Sequence, residues 1–331
     1  MRDAYLHAVR ACAILVLSLL VARAFGADSS ETAGAKPHAI IVERLDLEDR
    51  KRQKQLPLRI AWPAAGGPYP VIVFSHGGGS SRDMYDRLAD HWAAAGYVVF
   101  LPTHMESRVY GFDVRGAAPD VIVKVLESRR QDLSFILDSL GELPARIPEL
   151  AGRIDAERVI AAGHSMGGAT ALTVTGLVME SPDGKERFGY RDERFDALIL
   201  LTEPGNSPMA PVDPWRAIPI PVLVATGSKD YSGQWSGPPK RRFYGFAADT
   251  VFPADVPRHY LFIDNMDHYL GGAVCRPDVP GPPDYDAVRI INEVSTAFLD
   301  AYAKDQPEAL EKFEGGAIAA LSSGRATLAA R

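Results

Sequence analysis

Between Arg158 and Ala171 the chain reads RVIAAGHSMGGATA, and few folds accommodate such a stretch. Val159 to Ala162 is a short apolar run suited to a strand buried on both faces. Gly163-His164-Ser165-Met166-Gly167 follows, and then small residues from Gly168 to Leu177 that suit a helix packed closely on a sheet. Strand, sharp turn and helix with a serine at the apex would lift Ser165 Oγ above the sheet edge. Gly163 and Gly167 lack Cβ, so backbone and helix can crowd a strained turn. The helix starting at Met166 would aim its N–H groups and positive dipole end at that serine. A bare G-x-S-x-G arises easily in a chain with 29 glycines. The flanking strand and helix are what give it meaning.

The surrounding pattern extends that unit into a sheet. Ala39 to Leu45 and Leu56 to Trp62 alternate enough for two strands joined by a charged turn. Val71 to Phe74, Tyr97 to Leu101, Ala197 to Leu201, Pro221 to Ala225 and His259 to Ile263 are short apolar runs of the buried kind. Helical spacing separates them at Met84 to Ala95, Asp120 to Leu140 and Asp286 to Tyr302. Alternating strands and helices predict an α/β fold: a mostly parallel sheet covered by helices on both faces, with an antiparallel N-terminal edge. No internal repeat or two-domain boundary is visible, so a single catalytic domain over 39–304 is expected.

The ends read differently. Ala11 to Ala22 (ACAILVLSLLVA) follows Arg2 and Arg10 and precedes small residues. It is short for a bilayer span and fits the h-region of a signal peptide over 1–26, hence a secreted or periplasmic protein with no stable membrane anchor after cleavage. Residues 27–38 are a polar linker. Residues 305–331 have weak periodicity and are expected as a partly disordered tail. Cys275 would be the only cysteine left after cleavage, leaving no intrachain disulfide. A net charge of -6 across 331 residues gives no basic footprint for nucleic acid. The one basic run, Arg50 to Lys54, reads as a solvated loop.

A serine nucleophile needs a base, a group to orient the base, and donors for a developing oxyanion. In an open α/β sheet these should lie beyond the carboxyl ends of strands. Of the eight histidines, His268 fits best, past the last predicted strand. Asp230, after Pro221–Ala225, is the candidate orienting carboxylate, with Glu203 after Ala197–Leu201 as the alternative acid. Asp264 and Asp267 are too close in sequence to His268 to turn back on its ring. His76-Gly77-Gly78-Gly79 follows a strand but lacks the G-K-[ST] ending of a phosphate-binding loop. Its glycines suit an oxyanion hole made by Met166 N–H with an N–H from Gly77 or Gly78, while His76 itself reads as a loop brace. His104, Tyr110, Phe112, Tyr231 and Trp235 are candidate pocket residues. No metal or cofactor is called for.

From about Ile41 to Tyr302 the chain resembles the α/β-hydrolase superfamily. Within it the chain is similar to secreted dienelactone-hydrolase-like serine esterases, themselves similar to platelet-activating-factor acetylhydrolases and polyester hydrolases. The motifs carrying the likeness are VIVFSHGGG (71–79), the 97–104 strand and loop, RRQDLSFIL (129–137), GHSMGG (163–168), ATGSKD (225–230) and DHYLGG (267–272). The chain order Ser165, Asp230, His268 agrees with the superfamily's triad order. The resemblance implies hydrolysis of a small-molecule or polymeric ester through an acyl-enzyme. True dienelactone hydrolases carry a cysteine nucleophile, so the serine here argues against that substrate. An acyltransferase with the same triad, or a catalytically silent binding protein on the same scaffold, are the alternatives.

Overall fold

A computed structural model describes residues 36–112, 117–180, 184–185, 187–202, 218–230, 256–279, 281–313 and 316–330. The described residues build one nine-stranded sheet. Its strands are β1 (Ile40–Asp49), β2 (Lys54–Pro63), β3 (Tyr69–Ser75), β4 (Val98–Pro102), β5 (Ile154–His164), β6 (Phe195–Leu201), β7 (Val222–Lys229), β8 (Arg258–Asp267) and β9 (Ala326–Ala330). They lie in the order β1-β2-β4-β3-β5-β6-β7-β8-β9. The central strands from β4 to β8 are parallel, whereas β1, β2 and β9 pair antiparallel at the two edges. This is an α/β-hydrolase sheet.

Strand periodicity divides the core into two layers. Val71, Val73, Val98, Phe100, Val159, Ala161, Leu198 and Leu200 face one layer with helices α2 (Pro119–Ser139) and α3 (Met166–Val174). Their neighbours Ile72, Phe74, Val99, Leu101, Ile160, Ala162, Ile199 and Leu201 face the other, with α1 (Asp86–Ala94) and α4 (Tyr285–Ala303). Both faces of these central strands are covered, which is why the sequence shows continuous apolar runs there instead of alternation.

Two elements depart from the sequence reading. The segment expected as a loose tail contains short helical turns at Glu308–Glu311 and Ala317–Leu321, then β9, paired to β8 from His259↔Ala330 to Ile263↔Ala326. Arg325, just before β9, binds the carboxylates of Asp284 and Asp286 and donates to Asp264 O at 2.9 Å. In addition, β8 does not end at Ile263. It passes through an irregularity and continues to Asp267, opposite Lys229 of β7. The presumed signal peptide and most of the linker lie outside the described residues. Among those described, no helix is long and apolar enough to cross a membrane.

Candidate active site

The sheet brings three distant residues together by a single rule. Ser165, Asp230 and His268 are each the first residue after the C-terminal end of a parallel strand: β5, β7 and β8. Ser165 Oγ lies 2.8 Å from His268 Nε2, and His268 Nδ1 lies 2.7 Å from Asp230 Oδ1. Thr226 Oγ1 donates to the other carboxylate oxygen at 2.6 Å. Asp230 and His268 are buried, while Ser165 is partly open. The serine adopts φ 54°, ψ -119°, a state that β-carbons resist and that only an over-determined surrounding holds. Gly163 and Gly167 permit it, since a Cβ on either would strike backbone: Gly167 O in the first case, Ser75 O in the second. Asp267 accepts from the N–H groups of Tyr269 and Gly271 at 2.8 and 2.9 Å, bending the chain that carries His268.

The glycine loop after β3 corrects one expectation. Gly77 N–H donates to Tyr85 Oη at 2.8 Å, so it is spent and unavailable as an oxyanion donor. Gly78 is the remaining candidate from this loop. Neither its N–H nor that of Met166, at the start of α3, has an acceptor among the described residues.

Beneath the loop lies a second acid–imidazole–hydroxyl set. His104 Nδ1 donates to Asp132 Oδ2 at 2.8 Å, and Ser75 Oγ lies 2.9 Å from His104 Nε2. These distances match those at Ser165, yet all three residues are fully buried, so no substrate can reach Ser75. Burial, reinforced by the Arg129 guanidinium, holds His104 well below its ordinary pKa. The role of this set is support. Arg129 Nη1 donates to Ser75 Oγ at 3.2 Å and His76 O at 2.7 Å, and its other terminal nitrogen binds Glu106. His104 N–H donates to His76 Nε2 at 3.0 Å, which leaves the His76 proton on Nδ1, 2.7 Å from Gly77 O. Burial and then Arg129 lower His76 to about 4, so the ring stays neutral in this role. Burial alone would raise the Glu106 carboxyl, but Arg129 outweighs it and holds that group well below the usual range.

Other sequence candidates fall elsewhere. His104 is part of this support and lines no open surface, against the expectation of a pocket residue. Arg52 and Lys54, read as solvated, turn inward and bind Asp132 at 2.7 Å. Tyr110 is exposed on a 3-10 turn, Arg108–Tyr110, whose first N–H donates to Gly79 O at 3.0 Å. Glu203, Tyr231 and Trp235 lie outside the described residues. Sequence reasoning missed Tyr85, Glu106, Arg129 and Asp132. Arg129 did leave a signal, because it sits on the same helical face as Leu126, Leu133 and Ile136, where a charge requires a buried partner.

Sheet order, elbow and the placement of polar residues at strand ends define the class: the described residues have the α/β-hydrolase fold. Comparison with known proteins narrows the likeness. The chlorophyllase family model matches residues 33–183. A platelet-activating factor acetylhydrolase from Cavia porcellus is 29% identical over 271 residues, covering 72% of this chain and 58% of that protein. Chlorophyllase-2 of Arabidopsis thaliana is 26% identical over 169 residues, covering 50% of this chain and 44% of that one. Chlorophyllase-1 of Citrus sinensis is 29% identical over 119 residues, 36% of this chain and 32% of that protein. The chain thus spans less than two thirds of the length of these relatives, which are ester hydrolases.

Proposed function

We propose that this protein is a serine carboxylic-ester hydrolase working through an acyl-enzyme. The observation that carries the reading is the Ser165–His268–Asp230 geometry, 2.8 and 2.7 Å, at a strained and accessible elbow. Asp230 accepts the Nδ1 proton and so leaves His268 Nε2 as the lone pair facing Ser165 Oγ. As Oγ attacks the ester carbonyl, its proton passes to Nε2, and the imidazolium is balanced by Asp230, which stays ionised. Gly78 and Met166 N–H groups would receive the oxyanion, the latter strengthened by the N-terminus of α3. His268 then protonates the leaving alcohol, and water repeats the sequence to release the acid. No step calls for a metal or cofactor. The apolar run 11–22 supports export of this domain with its first residues removed, which N-terminal sequencing of secreted protein would test.

Initial rates on p-nitrophenyl esters of increasing acyl length test the chemistry. Ser165→Ala should lower kcat by about 10⁴–10⁶, and Asp230→Asn by about 10³–10⁴ with the fold intact. Glu203→Gln should stay within a few-fold of wild type. Wild-type rates in Ser165→Ala would sink the proposal, and collapse in Glu203→Gln with a fully active Asp230→Asn would reassign the acid.

A further inference from the structure

Resting on that reading, we infer that Tyr85 and His164 are positioning residues that tie the oxyanion loop to the catalytic base through one hydrogen-bonded path. Gly77 N–H donates to Tyr85 Oη at 2.8 Å, Tyr85 Oη lies 2.9 Å from His164 Nδ1, and His164 Nε2 lies 2.8 Å from the carbonyl oxygen of His268. With His164 neutral, the proton inventory gives the direction of each bond. His268 O can only accept, so His164 carries its proton on Nε2. A neutral His164 then presents a lone pair at Nδ1, which takes the Tyr85 hydroxyl proton, and Tyr85 in turn accepts from Gly77. Burial raises the Tyr85 pKa well above its ordinary value, so the hydroxyl keeps the proton it donates.

The path has little slack. A Cβ on Gly77 would meet His164 Nδ1 at 2.7 Å and Cys275 Sγ at 2.9 Å. The His164 ring stands 5.1 Å from that of His268 and 5.6 Å from that of Tyr85. His164 also immediately precedes Ser165, so one residue leads into the nucleophile's backbone turn and grips the base's carbonyl with its side chain. At the other end, Gly77 N–H and Gly78 N–H belong to consecutive peptides, so anchoring the first on Tyr85 limits where the second can point. None of these atoms reaches the reacting carbonyl. Their effect is on the relative placement of donor, nucleophile and base, where errors of about 1 Å cost about 10²-fold. Such an effect belongs to kcat and not to substrate binding.

The test is hydrolysis of p-nitrophenyl butyrate by wild type, Tyr85→Phe, His164→Phe, the double variant and His164→Gln. Each kcat is expressed per fluorophosphonate-titrated Ser165, so that unfolded molecules do not count. Each single Phe variant should lower kcat by about 10–100-fold with KM within about 3-fold of wild type. The double variant should fall within about 3-fold of the worse single, because both break one path. His164→Gln, which keeps an acceptor and an N–H donor, should recover about 10-fold over His164→Phe. If His164→Phe does not fold, Tyr85→Phe, with the Gln variant judged against wild type, carries the test. Singles within about 3-fold of wild type, multiplicative losses, or no recovery with Gln would overturn the path while leaving an active hydrolase. A wild type that neither hydrolyses the ester nor takes up the probe would overturn the hydrolase reading itself, and the path with it.

Discussion

Arg129 sits fully buried against Glu106, and its guanidinium also holds Ser75 and the His76 carbonyl. Desolvating both charges is costly, so the pair adds little net stability over an apolar replacement, yet removing one partner strands the other. Arg129→Met should therefore destabilise the protein by about 3–5 kcal/mol in urea unfolding. Adding Glu106→Gln to it should recover a large part of that loss, and a double variant no more stable than Arg129→Met would refute the argument. The convergence of Ser165, Asp230 and His268 was legible at this scale from residue types placed past apolar runs, although β7 and β8 run on to Lys229 and Asp267, beyond the runs that end at Ala225 and Ile263. The support beneath it was not. Glu106 and Tyr85 lie in segments whose polarity suits an exposed loop or helix start, and only a distant partner makes them interior.

Among the elements, the strand calculus worked where burial is two-sided and failed where pairing alone makes the strand. The runs VIVF, VVFL and ALILL announce themselves, whereas β9 (ATLAA) has one large apolar residue and is a strand only because β8 offers it an edge. The continuation of β8 to Asp267 was hidden for a similar reason, since DNMD carries no strand pattern and its register depends on β7. Because β8 delivers His268, its outer edge bears on the site. Truncation after Ser323 removes β9 and Arg325, leaving a row of unpaired β8 backbone groups and taking from Asp284 its cation, while Asp286 keeps Arg289. The truncated protein should unfold at lower temperature and scatter more light on heating than wild type. Equal midpoints and equal scattering would show that β9 contributes no cover.

At the scale of the molecule, several buried groups share one pH sign. His76 and His259 are lowered to about 4, His104 is held well below its usual value, and Glu106 is well below the carboxylate range. The unfolded chain binds protons on these histidines from about pH 6.5 downward, while folded His76 and His259 do not until about pH 4 and folded His104 stays neutral well below its usual range. Stability is therefore full above about 6.5 and falls with pH by about 1.4 kcal/mol per unit for each such group. Glu106 adds to the slope below about 4.5. Urea midpoints at pH 7.5, 6.0 and 5.0 should decline in that order, and His259→Gln should flatten the decline. A midpoint constant across that range would contradict the buried, neutral state of these rings.

The twin arrangement at Ser75 and Ser165 has a practical consequence. Both serines close neighbouring parallel strands, and both stand at hydrogen-bond distance from an imidazole backed by an aspartate. A template search scoring three-atom distances would return two hits in this one chain and rank them alike. What distinguishes them is the wall around each: one hydroxyl opens outward on a left-handed turn, and the other is sealed under an arginine. A designer wanting a reactive centre at Ser75 would find acid, imidazole and hydroxyl already aligned, but would have to open the wall, displace Arg129 and add donors for an oxyanion.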